Sequence, residues 1–291
     1  MSLRRLHLAA LLLLAASCAI SAETLHKPYV MASMESGTIA DQLEGVASSL
    51  EDQGFDLVGQ YAPWDGARVL VVTSPELIQN AAESEFGGFG AVVRVSLTQV
   101  GETVQVAYTH PTYMAHAYRL QGDNEAVAQK LEAALGALQT FGSKKGLSTR
   151  KLRKYHYTVM MPYFDDQDEL AKYGSYEETV TAVEAGLAAG IAGTEKIYRV
   201  DVGPGVTLFG VALQQGAGAD AVVIKNCDRE EYKHTAYMPY EILVRDNKAY
   251  ALPGKFRIAV SFPDLSMGTF MKIVGAPGSI KNALKDVARA Q

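Results

Sequence analysis

The sequence predicts an α+β fold of two tandem domains, each a β-α-β-β-β-β-α unit with one antiparallel sheet that carries two helices on one face. Two observations support this prediction. Residues 26–142 and 156–291 repeat one order of elements: a short strand, an amphipathic helix, several strands, a proline break and a closing helix. In residues 93–97, apolar and polar residues alternate, which is typical of an antiparallel sheet with one solvated face.

The N-terminus resembles a secretory signal peptide. Arg4 and Arg5 precede an apolar run over residues 8–16, and small residues follow up to Ala22. The run is shorter than the roughly 20 residues that span a bilayer, so we expect cleavage rather than a transmembrane anchor. Residues 1–22 are therefore predicted to be removed and the protein to be periplasmic or secreted. An alternative is lipidation at Cys18, which would attach the protein to a membrane.

Charge and cysteine content narrow the function classes. Without Arg4 and Arg5 the formal net charge changes from −5 to −7, which argues against nucleic-acid binding because that depends on neutralising phosphates. Cys18 would leave with the signal peptide, so Cys227 has no intramolecular disulfide partner. The fold must therefore be held by its hydrophobic core, for which the chain is long enough.

The first predicted domain, residues 23–142, opens with a strand at residues 29–32. Thr38 can cap the helix that follows, and Gly54 can end it. The apolar face of this helix consists of Ile39, Leu43, Val46 and Leu50. Further strands are predicted at residues 55–61, 69–72, 93–97 and 103–108, with a reversal at Gly101. A closing helix is predicted at residues 123–141, with Val127, Leu131, Leu135 and Leu138 on its buried face.

The second predicted domain, residues 155–291, repeats this order. Its predicted strands are residues 156–160, 196–202, 206–213, 221–225, 241–245, 248–252 and 256–262. Ser175 and Glu178 form a capping box for a helix with Val180, Val183 and Leu187 inward. The last helix is predicted at residues 279–288, with Ile280, Leu284 and Val287 inward. Residues 106–111 align with residues 258–263, because both segments end at a proline.

A basic segment separates the two halves. Residues 143–154 contain six lysines and arginines and no acidic residue. This pattern predicts a solvated linker at the domain boundary. The alternative is an anchor for an anionic lipid or an acidic partner.

The residues at the strand ends and proline breaks of both halves resemble those of the domain-of-unknown-function 302 family. The resemblance rests on residues 73–75 (Thr-Ser-Pro) and 108–111 (Tyr-Thr-His-Pro) in the first half, and on residues 222–227, 237–244 and 261–263 in the second. It implies a β-α-β-β-β-β-α domain related in shape to the TATA-binding-protein-like folds, and it implies no established activity. Family members tend to carry cysteine or asparagine before the proline that follows the third strand. Here Ser74 stands before Pro75, and Asp228 stands where the second half would need the proline.

The densest group of possible metal ligands is His110, Met114 and His116, just beyond a predicted strand end. Imidazole and thioether groups in an exported protein suit copper, because thioether favours Cu(I) and imidazole accepts both oxidation states. The alternative is that these residues only pack in the fold, with methionine filling gaps. No cofactor is otherwise expected, and copper is the possible exception.

A second group, Cys227, His234 and Met238, lies in the other half and could contribute to a ligand site. Cys227 could also be a reactive thiol with His234 as its base, but sequence spacing does not show contact between them. The alternative is a buried, inert cysteine. An enzyme should place the two side chains within hydrogen-bond reach in an accessible pocket.

The sequence therefore favours an exported, non-enzymatic protein that binds a small ligand or a protein partner in the cell envelope. A doubled domain creates a groove between its halves, and domain interfaces are favoured ligand sites. The alternatives are a copper-binding protein and a thiol-dependent enzyme that uses Cys227 and His234.

Overall fold

The computed structural model describes residues 23–290, and the predicted signal peptide lies outside them. The strands are β1 (Leu25–His26), β2 (Tyr29–Ser36), β3 (Asp56–Tyr61), β4 (Ala67–Thr73), β5 (Val93–Val100), β6 (Thr103–Thr109), β7 (Gln139–Phe141), β8 (Leu147–Ser148), β9 (Asp168–Lys172), β10 (Thr194–Gly203), β11 (Val206–Leu213), β12 (Tyr240–Arg245) and β13 (Lys248–Ala251). The helices are α1 (Ile39–Asp52), α2 (Pro75–Ala82), α3 (Pro111–Ala117), α4 (Glu125–Leu135), α5 (Thr149–Arg153), α6 (Tyr176–Ala188), α7 (Asp220–Cys227), α8 (Gly254–Ser261), α9 (Met267–Phe270) and α10 (Ala276–Ala288). Short 3₁₀ helices lie at Gly87–Gly90, Ile191–Gly193, Thr235–Tyr237 and Met271–Ile273.

The two large sheets have the same topology. The six-stranded sheet of the first half has the order β3-β4-β5-β6-β2-β7, and the five-stranded sheet of the second half has the order β10-β11-β12-β13-β9. All their strand pairs are antiparallel. Without β7 the two orders match strand by strand. The predicted α+β class and the predicted repeat of one strand order are therefore confirmed.

Two helices cover the outer face of each sheet. α1 and α4 pack on the first sheet around buried residues that include Leu50, Val95 and Leu131. α6 and α10 pack on the second sheet around a separate core. The predicted N-caps are present, since the Thr38 hydroxyl accepts a hydrogen bond from the Asp41 amide and the Ser175 hydroxyl accepts one from the Glu178 amide. The reciprocal half of the predicted capping box is absent, because the Glu178 carboxylate accepts from the Gly174 amide instead.

The inner faces of the two sheets share a third core. Val69 and Val71 of β4 belong to the same buried cluster as Tyr198 of β10, Leu208 of β11 and Leu243 of β12. The layers therefore run helix, sheet, sheet, helix. At Gly88 the approach is so close that a Cβ atom would lie 2.4 Å from Leu243 Cδ1. A side chain at position 88 would push the halves apart.

The alternating pattern of β5 does not mark a solvated face. Arg94, Ser96 and Thr98 are all buried, because this polar face lies against the second half. The Arg94 guanidinium lies 2.6 Å from a carboxylate oxygen of Glu241 on β12, and Thr98 donates a hydrogen bond to the Thr235 hydroxyl. Polar residues alternate with apolar ones along a strand whether the polar face contacts solvent or polar partners across an interface. The prediction of solvation was therefore wrong.

The end of the first half also differs from the prediction. The closing helix ends at Leu135, and the chain then forms the edge strand β7, which pairs with β2. Leu138, predicted to be buried, is 65 % exposed. Gly136, with φ of +86°, ends the helix because the left-handed region suits glycine.

The basic segment of residues 143–154 is folded rather than a solvated linker throughout. β8 pairs with β1 near the N-terminus, and α5 follows directly. Ser148 and Leu152 are buried, and Leu152 belongs to the central core. Its cationic side chains occupy the exposed side of a short ordered element.

Three strands predicted in the second half are wrong. Residues 156–160 form turns, and the opening strand is instead β9, an acidic segment in which Leu170 and Ala171 are buried. Residues 221–225 belong to α7: their β-branched side chains favour strand locally, but Val223 and Cys227 share one buried helical face while Val222 is exposed.

Residues 256–262 lie almost entirely in helix α8, whose apolar residues are buried on every side. In a fully buried segment, apolar residues show no alternation with polar residues that would distinguish helix from strand. A short buried helix and a buried strand therefore look alike in sequence. The alignment of residues 106–111 with residues 258–263 is therefore also wrong. The topological equivalent of α8 is α3, because each follows the fourth strand of its sheet order.

Candidate functional site

A cavity of about 470 Å³ lies where the two halves meet, and we call it the interhalf cleft. The first half contributes the end of β7 and the loop beyond it, and the second half contributes the end of α7 and the chain that follows α7 and α8. The residues that line it are Lys27, Gln139, Thr140, Phe141, Gly142, Ser143, Lys144, Cys227, Arg229, Glu230, Glu231, Tyr232, His234, Phe262, Asp264, Leu265, Ser266 and Thr269. Two of the three predicted ligand-site residues, Cys227 and His234, are among them.

His234 and Asp228 form a buried pair in the wall of the cleft. The His234 Nδ1 atom lies 2.9 Å from one carboxylate oxygen of Asp228, and the His234 backbone amide donates to the other oxygen at 2.8 Å. Each side chain is only 3 % exposed. Because a carboxylate only accepts hydrogen bonds, this contact keeps a proton on Nδ1 and leaves Nε2 as the second polar atom of the ring.

Aromatic rings hold the imidazole on three sides. The His234 ring centroid lies 5.0 Å from that of Tyr29, 5.2 Å from that of Phe141 and 5.0 Å from that of Phe262. A Cβ atom at Gly142 would lie 3.2 Å from Nε2. The glycine therefore leaves this nitrogen without a side chain in front of it.

The segment that carries the pair is fixed to the first sheet. The Gln105 side-chain amide of β6 donates to the Glu231 carbonyl at 3.1 Å and accepts from the Lys233 amide at 2.9 Å. On the other side of the cleft the Lys144 amide donates to an Asp264 carboxylate oxygen. Both halves thus hold the cleft in shape.

Cys227 lines the cleft as a poor nucleophile. Its side chain is buried, and burial together with the negative charge of Asp228 raises the pKa of the thiol to about 12. Among residues 23–290, no hydrogen bond joins the Cys227 sulfur to His234, whose Nδ1 atom is bound to Asp228. A thiol-dependent enzyme should hold Cys227 and His234 in one pocket and within hydrogen-bond reach of each other. Both residues line the cleft, but no hydrogen bond among the described residues joins them.

Met238 takes no part in the cleft. It is fully buried in the core between the second sheet and its outer helices, just before the cis proline Pro239. Its distance along the chain from His234 suggested a shared site, but the 3₁₀ helix Thr235–Tyr237 takes it into the core. Met238 is therefore removed from the predicted ligand set.

The two histidines of the predicted metal group lie at the ends of α3, and a third histidine joins them. The ring centroid of His26 on β1 lies 5.2 Å from that of His116 and 6.4 Å from that of His110. Met114 instead packs in the central core and is 8 % exposed. We call His26, His110 and His116 the histidine cluster.

The cluster keeps its imidazoles neutral. Burial lowers the pKa of all three histidines, and for His110 burial and the two neighbouring imidazoles lower the pKa to about 4. Within residues 23–290, no group of three or more His, Cys, Asp or Glu side chains is arranged so that it could hold a metal ion without movement of the side chains. The copper hypothesis stays a prediction, with a different set of residues.

Sequence reasoning missed Asp228 and His26. Asp228 adjoins Cys227, but its contact with His234 depends on the turn of the chain after α7. His26 lies 84 residues before His110, and only the pairing of β1 with β8 and of β2 with β6 brings it close. No local pattern marks either contact.

No protein-family model, curated protein sequence or solved structure matches this chain. The resemblance to the domain-of-unknown-function 302 family therefore still rests only on the sequence segments at the strand ends and proline breaks. In the part of the chain that the structure describes, no helix has the length and apolar character needed to span a membrane.

Proposed function

We propose that this chain is an exported, non-enzymatic binding protein of the cell envelope whose small ligand occupies the interhalf cleft. The observation that carries the proposal is that both halves build the cleft around a buried Asp228 and His234 pair. Polar groups that converge in a concave site lined by aromatic rings are typical of small-molecule sites. Export rests on the N-terminal sequence, and attachment to a membrane would require lipidation at Cys18.

The chemistry of the cleft suggests the class of ligand. Phe141, Tyr232 and Phe262 offer flat apolar surface, and Nε2 of His234 offers a polar atom for a hydrogen bond. Lysine, arginine and acidic side chains are mixed around them, so the cleft does not favour a ligand with a strong net charge. We infer a small molecule with a flat apolar part and a polar group that hydrogen-bonds to His234.

Native mass spectrometry of protein purified from its own envelope compartment tests this proposal. We expect the wild-type protein to carry a bound small molecule that the His234→Gln variant loses, because glutamine has no Nδ1 atom for Asp228 to bind and no ring for the aromatic side chains to hold in place. His156→Gln, which changes a histidine outside the cleft, is the matched control and should keep the ligand. A wild-type protein without bound mass, or a His234→Gln variant with the same load, would contradict the proposal.

Alkylation of Cys227 separates this proposal from the thiol-dependent enzyme. A thiol with a pKa near 12 is almost entirely protonated at pH 8, so iodoacetamide should modify the folded protein at least about tenfold more slowly than the protein in urea. A rate in the folded protein equal to that in urea would contradict the raised pKa, and a faster rate would show an activated thiol and would favour the enzyme.

A further inference from the structure

The histidine cluster brings together three parts of the chain that are far apart in sequence. His26 lies on β1, which pairs with β8. His110 is the N-cap residue of α3, where its amide donates to the Pro28 carbonyl, and His116 lies in the last turn of the same helix. Backbone hydrogen bonds of the strand pair and of α3 therefore fix the chain segments that carry the three imidazole rings.

The separation of two of the rings fits ligands of one metal ion. With a metal to nitrogen distance of about 2.0–2.1 Å, each imidazole centroid lies about 3.2 Å from the ion, so two tetrahedral ligands have centroids about 5 Å apart. The His26 and His116 centroids are 5.2 Å apart, as this geometry requires, whereas the His26 and His110 centroids are 6.4 Å apart. Binding of one ion by all three rings therefore requires the His110 ring to move toward the other two.

Two nitrogens of the cluster lack a partner. The Nδ1 atoms of His110 and His116 are buried and have no hydrogen bond within the described residues. An unpaired buried polar atom is costly, so side chains that pack only for stability rarely keep two of them together. All three histidines are partly exposed as residues.

A carboxylate stands beside the cluster. Glu125 lines a cavity of about 330 Å³ together with His26 and His110, and its negative charge acts on His26. The His26 Nε2 atom lies 3.1 Å from the Thr149 hydroxyl, which is a contact that orients a ring. Three imidazoles and a carboxylate suit late first-row transition metals and not calcium or magnesium.

We propose that His26, His110 and His116 bind one divalent transition metal ion, Zn²⁺ or Cu²⁺, with Glu125 as the candidate for a fourth ligand. This site is separate from the interhalf cleft and does not depend on the function proposed for the cleft. It differs from the group predicted from sequence, because His26 takes the place of Met114.

Isothermal titration calorimetry of the purified protein with Zn²⁺ and, separately, with Cu²⁺ tests the site, and Mg²⁺ is the negative control. We expect one ion per chain, and we expect His26→Gln to weaken its binding by about 100-fold or more. Met114→Leu and His156→Gln should leave the affinity within about threefold of wild type. Loss of binding in Met114→Leu with no effect of His26→Gln would overturn the proposal and restore the sequence-based ligand set.

A spectroscopic measurement keeps the proposal testable if His26→Gln does not fold. In the electron paramagnetic resonance spectrum of the wild-type protein with Cu²⁺, the hyperfine pattern should show three imidazole nitrogens on one ion. A spectrum with fewer than three, or wild-type binding of Zn²⁺ and Cu²⁺ no tighter than that of Mg²⁺, would refute the site.

Discussion

Replacing Arg94 by methionine removes one cation from an ion pair that crosses the interface between the two sheets. The Arg94 and Glu241 side chains are 3 % and 1 % exposed, and their charged atoms lie 2.6 Å apart. Removing one partner of a buried pair costs about 3–5 kcal/mol, because the remaining charge stays buried. Glu241 keeps a second cation, Arg257, at 3.3 Å, so we expect a loss near the lower end, about 3 kcal/mol.

The reverse change should cost more. Glu241→Gln leaves Arg94 and Arg257 buried without a carboxylate, and Tyr198, which donates to Glu241, offers them no charge. We expect a loss of about 5 kcal/mol. Arg199→Met is the control, because Arg199 is 36 % exposed and its ion pairs lie at the surface, where they contribute less than about 1 kcal/mol.

Equilibrium unfolding in urea measures all three variants. The shared core predicts a single transition for the whole chain, and the order of destabilisation should be Glu241→Gln, then Arg94→Met, then Arg199→Met. An Arg94→Met variant within about 1 kcal/mol of wild type would refute the close packing of the two inner sheet faces. Two separate transitions would show that the halves unfold independently.

Leu131→Ala should lower the free energy of unfolding by about 2–4 kcal/mol, because Leu131 lies on the buried face of α4 and is fully buried. Leu138→Ala should change it by less than about 0.5 kcal/mol, because that leucine is 65 % exposed. Equal effects in urea unfolding would contradict the observed end of the helix. Burial raises the pKa of Asp220 to about 7, so between about pH 4 and pH 7 the folded protein keeps a proton that the unfolded chain has lost, because the ordinary pKa is near 4. Asp220 therefore lowers stability as the pH rises from about 4 to about 7, and Asp220→Asn should raise the free energy of unfolding more at pH 8 than at pH 4. An equal effect at both pH values would show that the pKa of Asp220 is not raised in the folded protein.

The first half could be predicted well because its signals are local. Thr38 is followed by residues with helical spacing, and Gly101, with φ of +62°, marks the reversal between β5 and β6. These features depend on backbone capping and turn chemistry within a few residues. The second half repeats the capped helix and the antiparallel strands, but only part of its strands could be located from such local features.

The errors in the second half come from packing that no local pattern shows. Val222, Val223 and Ile224 favour a strand by their branching, yet α7 forms because one side of it faces the second core and the other faces solvent. The buried polar face of β5 is a similar case, since the partner of Arg94 is 147 residues away. Tertiary contacts decide these elements, and a single sequence does not reveal them.

The candidate sites depend on differences between the halves. α7 and α2 both follow the third strand of their repeat, but α7 ends at Cys227 and is followed by Asp228, whereas α2 ends at Ala82 and is followed by Glu83. α3 is capped by His110, whereas its equivalent α8 is capped by Pro253. The repeat therefore supplies one interhalf cleft and one histidine cluster, rather than a symmetric pair of each. A groove inferred from pseudo-symmetry points to the right interface, but its residues follow only from the path of the chain through that interface.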